Sequence, residues 1–214
     1  MAMKIFLDSN IVRHSATTYR TMDIYFGGGK PGEPLVREGP IETIHKNPPP
    51  DEKLAAEINC LPNLSAKLKS IGATLIMDFE NFSEVKKAGR FRNDYFYGSE
   101  IERSERPPEF NAILGMPNWL NSGPTENHFH NFLHRLKNPR FLELAKYAGA
   151  SQGKKDNYNQ LADAYFLWCA EVNQATFFLT LDFKLHRSIG QAKKLVYAPK
   201  IVSALDLLAD LKNA

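Results

Sequence analysis

Three apolar runs of this chain stop on or beside an aspartate. Ile5, Phe6 and Leu7 lead into Asp8, "ATLIMD" ends on Asp78, and "ATFFLT" is followed two residues later by Asp182. Short apolar runs of this kind read as buried strands, and in an open parallel sheet ligands gather at the carboxyl ends of the strands. A fourth acid, Asp163, comes from the helical stretch "DNYNQLADAYFLWCAEVN". Leu161, Ala164, Tyr165, Trp168 and Val172 form its apolar stripe, and Asp156, Asn159 and Asp163 stand on a neighbouring polar one. Carboxylates converging on one point repel each other and hold their protons more tightly unless a cation joins them. Oxygen ligands without Cys or His companions favour Mg2+ or Mn2+. Such an ion, singly or as a pair, activates water and clamps a phosphate for in-line displacement, so the chemistry indicated is phosphodiester hydrolysis.

The elements that must position these acids alternate between strand and helix. Strand 4–7 runs into a short helix near Ser9. Gly and Pro clusters over 25–50 forbid long helices and suggest a protruding loop or hairpin, read as an insertion within about 19–50. A helix restarts at Asp51, with Pro62 as a break or kink and Gly72 as its stop. Strand 73–78 and a short helix over Phe82–Ala88 follow. Residues 89–125, rich in aromatics, arginines and turn formers, read as a second insertion with little regular structure. Helix returns from Glu126 to Ala150, interrupted at Pro139, and 151–155 is a solvated connector. In the last third, a helix capped by Asp156, the strand "ATFFLT", the turn and short helix "LDFKLHRSIG", the strand "KLVYA" and a closing helix opened by Pro199 are expected. Short apolar strands alternating with helices imply one α/β domain whose mainly parallel sheet is covered on both faces.

Four segments, in order, carry a family resemblance: "IFLDSN", "LADAYFLWCAE", "FFLTLDFKL" and "LVYAPKIVSALDLL" resemble PIN-domain proteins. The resemblance implies a three-layer α/β/α sandwich and Mg2+- or Mn2+-dependent cleavage of RNA, sometimes DNA, by a water nucleophile. The family's acids fall on Asp8, Asp163 and Asp182. Its second acid, on a short helix a few residues past the second strand, fits Glu84, with Glu80 in reserve. By the same resemblance Ser9, Asn10 and Thr180 assist by holding carboxylates or water. The two insertions lie outside the resemblance. A homodimer and an inhibitory protein partner are both open, although many family members that act as toxins are much shorter than this chain.

Each acid also has a plainer reading. Asp8 and Asp156 suit helix caps, Asp163 a solvated helix position and Asp182 a turn, but their ordered arrival at one sheet edge favours a common site, with Asp156 and Asn159 beside it. Asn10 stands where an aspartate-nucleophile phosphatase would want a second carboxylate, which weakens that alternative. A PIN-like fold kept only to bind nucleic acid or protein is the other rival. His130 and His134 share a helix face, yet no HExxH glutamate or nearby cysteine completes a zinc set, so a partly exposed helix face is expected. "GGGK" at 27–30 runs into Pro31 and reads as a glycine turn rather than a phosphate loop.

Charge points weakly towards a polyanion. The 214-residue chain carries a formal +3, but between His130 and Lys155 six Lys and Arg stand against Glu143 alone. Arg135, Lys154 and Lys155 there, with Arg90, Arg92 and Tyr95 of "GRFRNDYFYG", are the candidates for holding a nucleic-acid backbone and its bases. At 43% hydrophobic the chain has material for a sizeable interior. Cys60 and Cys169 are its two cysteines, so a disulfide framework is not expected, and with no secretory signal pattern or membrane-length apolar run a cytoplasmic protein without membrane contact is.

Overall fold

A computed structural model of the chain describes residues 3–24, 36–44, 49–78, 80, 90–92, 95–107, 126–150, 158–192 and 194–212. Among these residues five short strands form one sheet. β1 (Lys4–Leu7) is central, with β4 (Thr74–Met77) and β6 (Glu102–Arg103) on one side and β7 (Phe177–Leu179) and β8 (Lys200–Val202) on the other, in the order β6-β4-β1-β7-β8. Every pairing in it is parallel, with Phe6 in register with Ile76 and with Phe178.

Successive side chains of a strand point to opposite faces, and here both faces are buried. Phe6, Ile76 and Phe178 enter one core, where Phe6 and Phe178 stack with ring centroids 5.6 Å apart. Helices α3 (Glu126–Arg135), α4 (Pro139–Tyr147), α5 (Tyr158–Val172) and α6 (Phe183–Gly190) cover that face. Ile5, Leu7, Leu75, Met77, Leu179 and Val202 enter the other core, under α1 (Ser9–Ser15), α2 (Glu52–Ser70) and α7 (Ala204–Asp210). The molecule is therefore an α/β sandwich with one helical layer on each side of the sheet. Full burial of a side chain such as Phe6 contributes about 2 kcal/mol. Cys60 and Cys169 are buried in opposite cores with the sheet between them, and both are free. Burial, aided by Glu57, pushes the Cys60 thiol up to about 11, and burial holds Cys169 well above its ordinary value as well.

A second, antiparallel sheet is built from β2 (Thr18–Ile24), β3 (Val36–Thr43) and β5 (Arg90–Arg92), in the order β3-β2-β5. β2 and β3 pair antiparallel with a register shift between Arg20 and Met22, while residues 25–35, the start of the Gly- and Pro-rich segment expected to form a loop or hairpin, lie outside the described residues. The segment expected to have little regular structure supplies β5 to this sheet and β6 to the main one. Phe96 within it is fully buried in the α2-side core, and the Ser65 hydroxyl donates to its carbonyl. Phe96 and Tyr97 adopt positive φ of 44° and 54°, a backbone cost that the burial of Phe96 offsets.

Two other expectations are corrected. Pro62 does not break α2, which runs through it; Pro62 is on the exposed side, where water can satisfy the carbonyl the ring leaves open. Gly72, at φ +65°, does end that helix. "KLVYA" is not a strand. The strand is β8, one element later, and Pro199 precedes it rather than opening the final helix, whose cap is Ser203 accepting from Asp206 N. The short helix expected over 82–88 and the connector at 151–155 lie outside the described residues.

Candidate functional site

The sheet continues one residue past the carboxyl ends of its strands. Asp8 N donates to Leu179 O, Thr180 N to Val202 O and Ser104 N to Met77 O, which fixes the backbone of each residue following a strand. Side chains there are held by the strand ladder, not by loop preference.

Asp8 is 5% exposed and caps α1. Its Oδ1 accepts from Ser9 N at 2.7 Å, and its Oδ2 accepts from Asn10 Nδ2 at 2.7 Å and from Thr180 Oγ1 at 2.6 Å. Burial raises its proton affinity above the ordinary carboxylate range, the bonds from Thr180, Ser9 and Asn10 oppose that rise, and the charge of Asp182 adds to it. Asn10 is engaged at both ends of its amide, since its Oδ1 accepts from Leu181 N at 3.0 Å. It is a strut between the β1 and β7 ends, not a second acid.

Asp182 caps α6, its Oδ1 accepting from Lys184 N and Leu185 N. Its own N–H donates to Thr180 Oγ1 at 2.9 Å. One hydroxyl, that of Thr180, therefore ties the Asp8 carboxylate to the backbone of Asp182. Helix N-termini favour anionic groups, so both caps lie in a favourable field.

An ionised carboxylate offers about four acceptor directions. Among the described residues, the donors above leave acceptor capacity on Asp8 Oδ1 and on Asp182 Oδ2. Two carboxylates with open oxygen positions suit Mg2+, which is commonly held by one or two carboxylates with water and phosphate oxygens completing its shell.

The other expected residues are placed less directly. Asp163 is half-buried on α5, between the buried Ala162 and Ala164. Among the described residues no group of three or more His, Cys, Asp or Glu could hold a metal ion, so the expected convergence of Asp8, Asp163 and Asp182 on one point is not found there; Asp8 and Asp182 are linked through Thr180 Oγ1. Packing of α5 by Tyr165, Phe166 and Trp168 sets that helix's orientation. Asn159 is exposed on α5; Glu84, Asp156, Lys154 and Lys155 lie outside the described residues. Arg90 and Arg92 sit on β5, paired with Thr21 and Tyr19. Tyr95 packs partly buried on the α2-side core, and Arg135 is exposed at the end of α3.

Asp78, the acid that ends β4, is engaged otherwise. It is fully buried, accepts from Ser104 Oγ at 2.8 Å and from Glu80 N at 2.9 Å, and lies 3.4 Å from Arg106 Nε. Arg106 Nη2 reaches Glu80 Oε1 at 3.4 Å, so the reserve acid is drawn into an ion pair. Arg140, in the basic stretch, is likewise committed: it binds Glu171 and Glu143 and donates to Val196 O at 2.6 Å, and its pairing with Glu171 strengthens its hold on its proton.

One contact made by the residue after Asp182 was not legible. Lys53, near the start of α2, holds its ammonium 4.1 Å from the centroid of the ring of Phe183, the residue that follows Asp182 in the chain. In "DEKLAAE" nothing distinguishes it from any solvated helix lysine.

Comparison with family models, with curated proteins and with solved structures finds no match to this chain. Among the described residues no helix is long and apolar enough to cross a membrane.

Proposed function

We propose that the chain is a PIN-like, divalent-cation-dependent endonuclease that hydrolyses phosphodiester bonds, with RNA as its substrate class. The observation that carries the reading is the pairing of Asp8 and Asp182 across adjacent parallel strand ends, joined through Thr180 Oγ1. Asp8 and Asp182 are the proposed ligands of Mg2+ or Mn2+, with Asp163 and Glu84 the further acids by resemblance; when bound, such an ion acidifies water and neutralises phosphate charge.

The chain's own groups have distinct parts in this scheme. Thr180 and Asn10 keep Asp8 in one orientation through Oδ2, and Ser9 N takes one of the acceptor directions of Oδ1. Preorganised acceptors of this kind need no rearrangement when substrate arrives. Lys53 stands beside Phe183 where a backbone phosphate approaching Asp182 would meet a positive charge, and Arg135 offers a more distant contact.

The test is cleavage of single-stranded RNA and DNA by the tag-free chain with Mg2+ or Mn2+, comparing wild type with Asp8→Asn and Asp182→Asn. Cation-dependent cutting abolished by either substitution supports the reading. Undiminished cutting by both variants overturns it.

A second reading is a PIN-like module that binds nucleic acid without cutting it. It draws on the lack, among the described residues, of a third acid beside Asp8 and Asp182. RNA binding that persists without cation and without cleavage would select it.

A further inference from the structure

His130 and His134 lie one turn apart on α3, where helical geometry places residues i and i+4 on one face. Their rings meet edge to face, with centroids 4.4 Å apart at 82°, and the two Nε2 atoms are 2.9 Å from each other. One imidazole nitrogen thus donates to the other, a shared proton between two groups that are both ligands for late transition metals.

We propose that this pair is a two-imidazole site for a borderline dication, Cu2+ or Zn2+, which takes the place of the hydrogen bond between the rings as the donor imidazole moves its proton from Nε2 to Nδ1. Nitrogen–metal bonds of about 2.0–2.1 Å at a right angle put two ligand nitrogens about 2.9 Å apart, so a small turn of the rings suffices to aim both lone pairs at one ion. Soft-to-borderline nitrogen ligands separate this site chemically from the carboxylate edge, which prefers hard cations.

The pair is also held on a rigid base. Phe129 and Leu133 of α3 are buried in the α5-side core, and Phe129 meets Tyr158, Tyr165 and Phe166 of α5. The Tyr158 ring lies 5.2 Å from His130 and fixes one side of its ring. His134 is exposed and His130 half-buried, so solvent ions reach both. A cation bridging residues i and i+4 clamps one turn of a ten-residue helix, a length that is marginal without tertiary support. The site does not depend on the nuclease reading.

The experiment is Cu2+ titration of the tag-free chain followed by electron paramagnetic resonance, with Zn2+ competition and thermal melts alongside. One saturable equivalent coupled to two imidazole nitrogens is expected, displaced by Zn2+ and weakening on acidification as protons compete for the ligands. His134→Ala, at an exposed position, should bind roughly tenfold or more weakly with single-nitrogen coupling and lose the cation-dependent rise in Tm. His130→Ala should behave likewise, and Asp8→Asn should bind Cu2+ as wild type does. Two-nitrogen coupling that survives in both histidine variants, or the absence of any saturable site in the wild type, would overturn the proposal. Circular dichroism of His134→Ala separates loss of ligand from loss of fold.

Discussion

Thr180 Oγ1 donates to Asp8 Oδ2 at 2.6 Å and accepts from Asp182 N at 2.9 Å. A residue at the end of β7 thereby orients an acid at the end of β1 and sets the turn that carries a second acid. Thr180→Val keeps the shape and removes the hydroxyl. Losing a buried hydrogen-bond partner costs about 1–3 kcal/mol, so urea denaturation should show a loss in that range. In the nuclease account kcat falls with KM little changed, because the substitution alters the hold on Asp8 and none of the basic groups proposed to meet the nucleic-acid backbone.

Asp8→Asn separates stability from activity. The folded protein holds the Asp8 proton more tightly than the unfolded chain does, chiefly through burial. The native state therefore binds more protons, and the carboxylate's contribution to stability falls as pH rises above its ordinary value of 3.8 and through the raised folded value. The neutral amide escapes that loss. Melts across pH should show Asp8→Asn unfolding no lower than wild type at neutral pH, with any advantage vanishing in acid, while cleavage is abolished.

The Asp78–Arg106 pair is expected to be structural. Arg106→Met strands a fully buried carboxylate at the end of β4 and should cost up to about 3 kcal/mol in denaturant titrations. Adding Asp78→Asn to that variant should restore part of the loss, since Glu80 N can still donate to the amide oxygen while the Ser104 hydroxyl turns to accept from the amide nitrogen. A double variant weaker than Arg106→Met alone would contradict the pairing.

Lys53→Ala tests the cation held over the Phe183 ring. If Lys53 contacts one phosphate, KM for RNA rises and the salt dependence of binding loses about one unit of slope, with kcat preserved. Far-UV circular dichroism should be unchanged, because the side chain is exposed at the start of α2.

The fold was legible where burial imposes a pattern. β1, β4 and β7 are short apolar runs because both of their faces are covered, and α5 reads clearly because residues from Ala162 to Ala170 are almost all buried. β8 was misplaced by one element: "LVYA" has the apolar look of a strand, but Ser203 as a helix cap and Pro199 before the strand put the pairing at Lys200–Val202. Phe96 was hidden because its burial depends on a left-handed turn at Phe96 and Tyr97 that composition does not announce. At the site, the partnership of Asp8 with Thr180 followed the strand ends. The capture of Asp78 and Glu80 by Arg106, and of Arg140 by Glu171, did not, because a charge's partner across 26 or 31 positions leaves no local trace.

The most direct measurement is anomalous diffraction from crystals soaked in Mn2+ at neutral pH, read at the carboxyl edge of the sheet. The account predicts a peak contacting Asp8 and Asp182 that is absent in Asp8→Asn crystals. No peak at that edge at saturating Mn2+, with Asp8 bonded only to Ser9, Asn10 and Thr180, would contradict it.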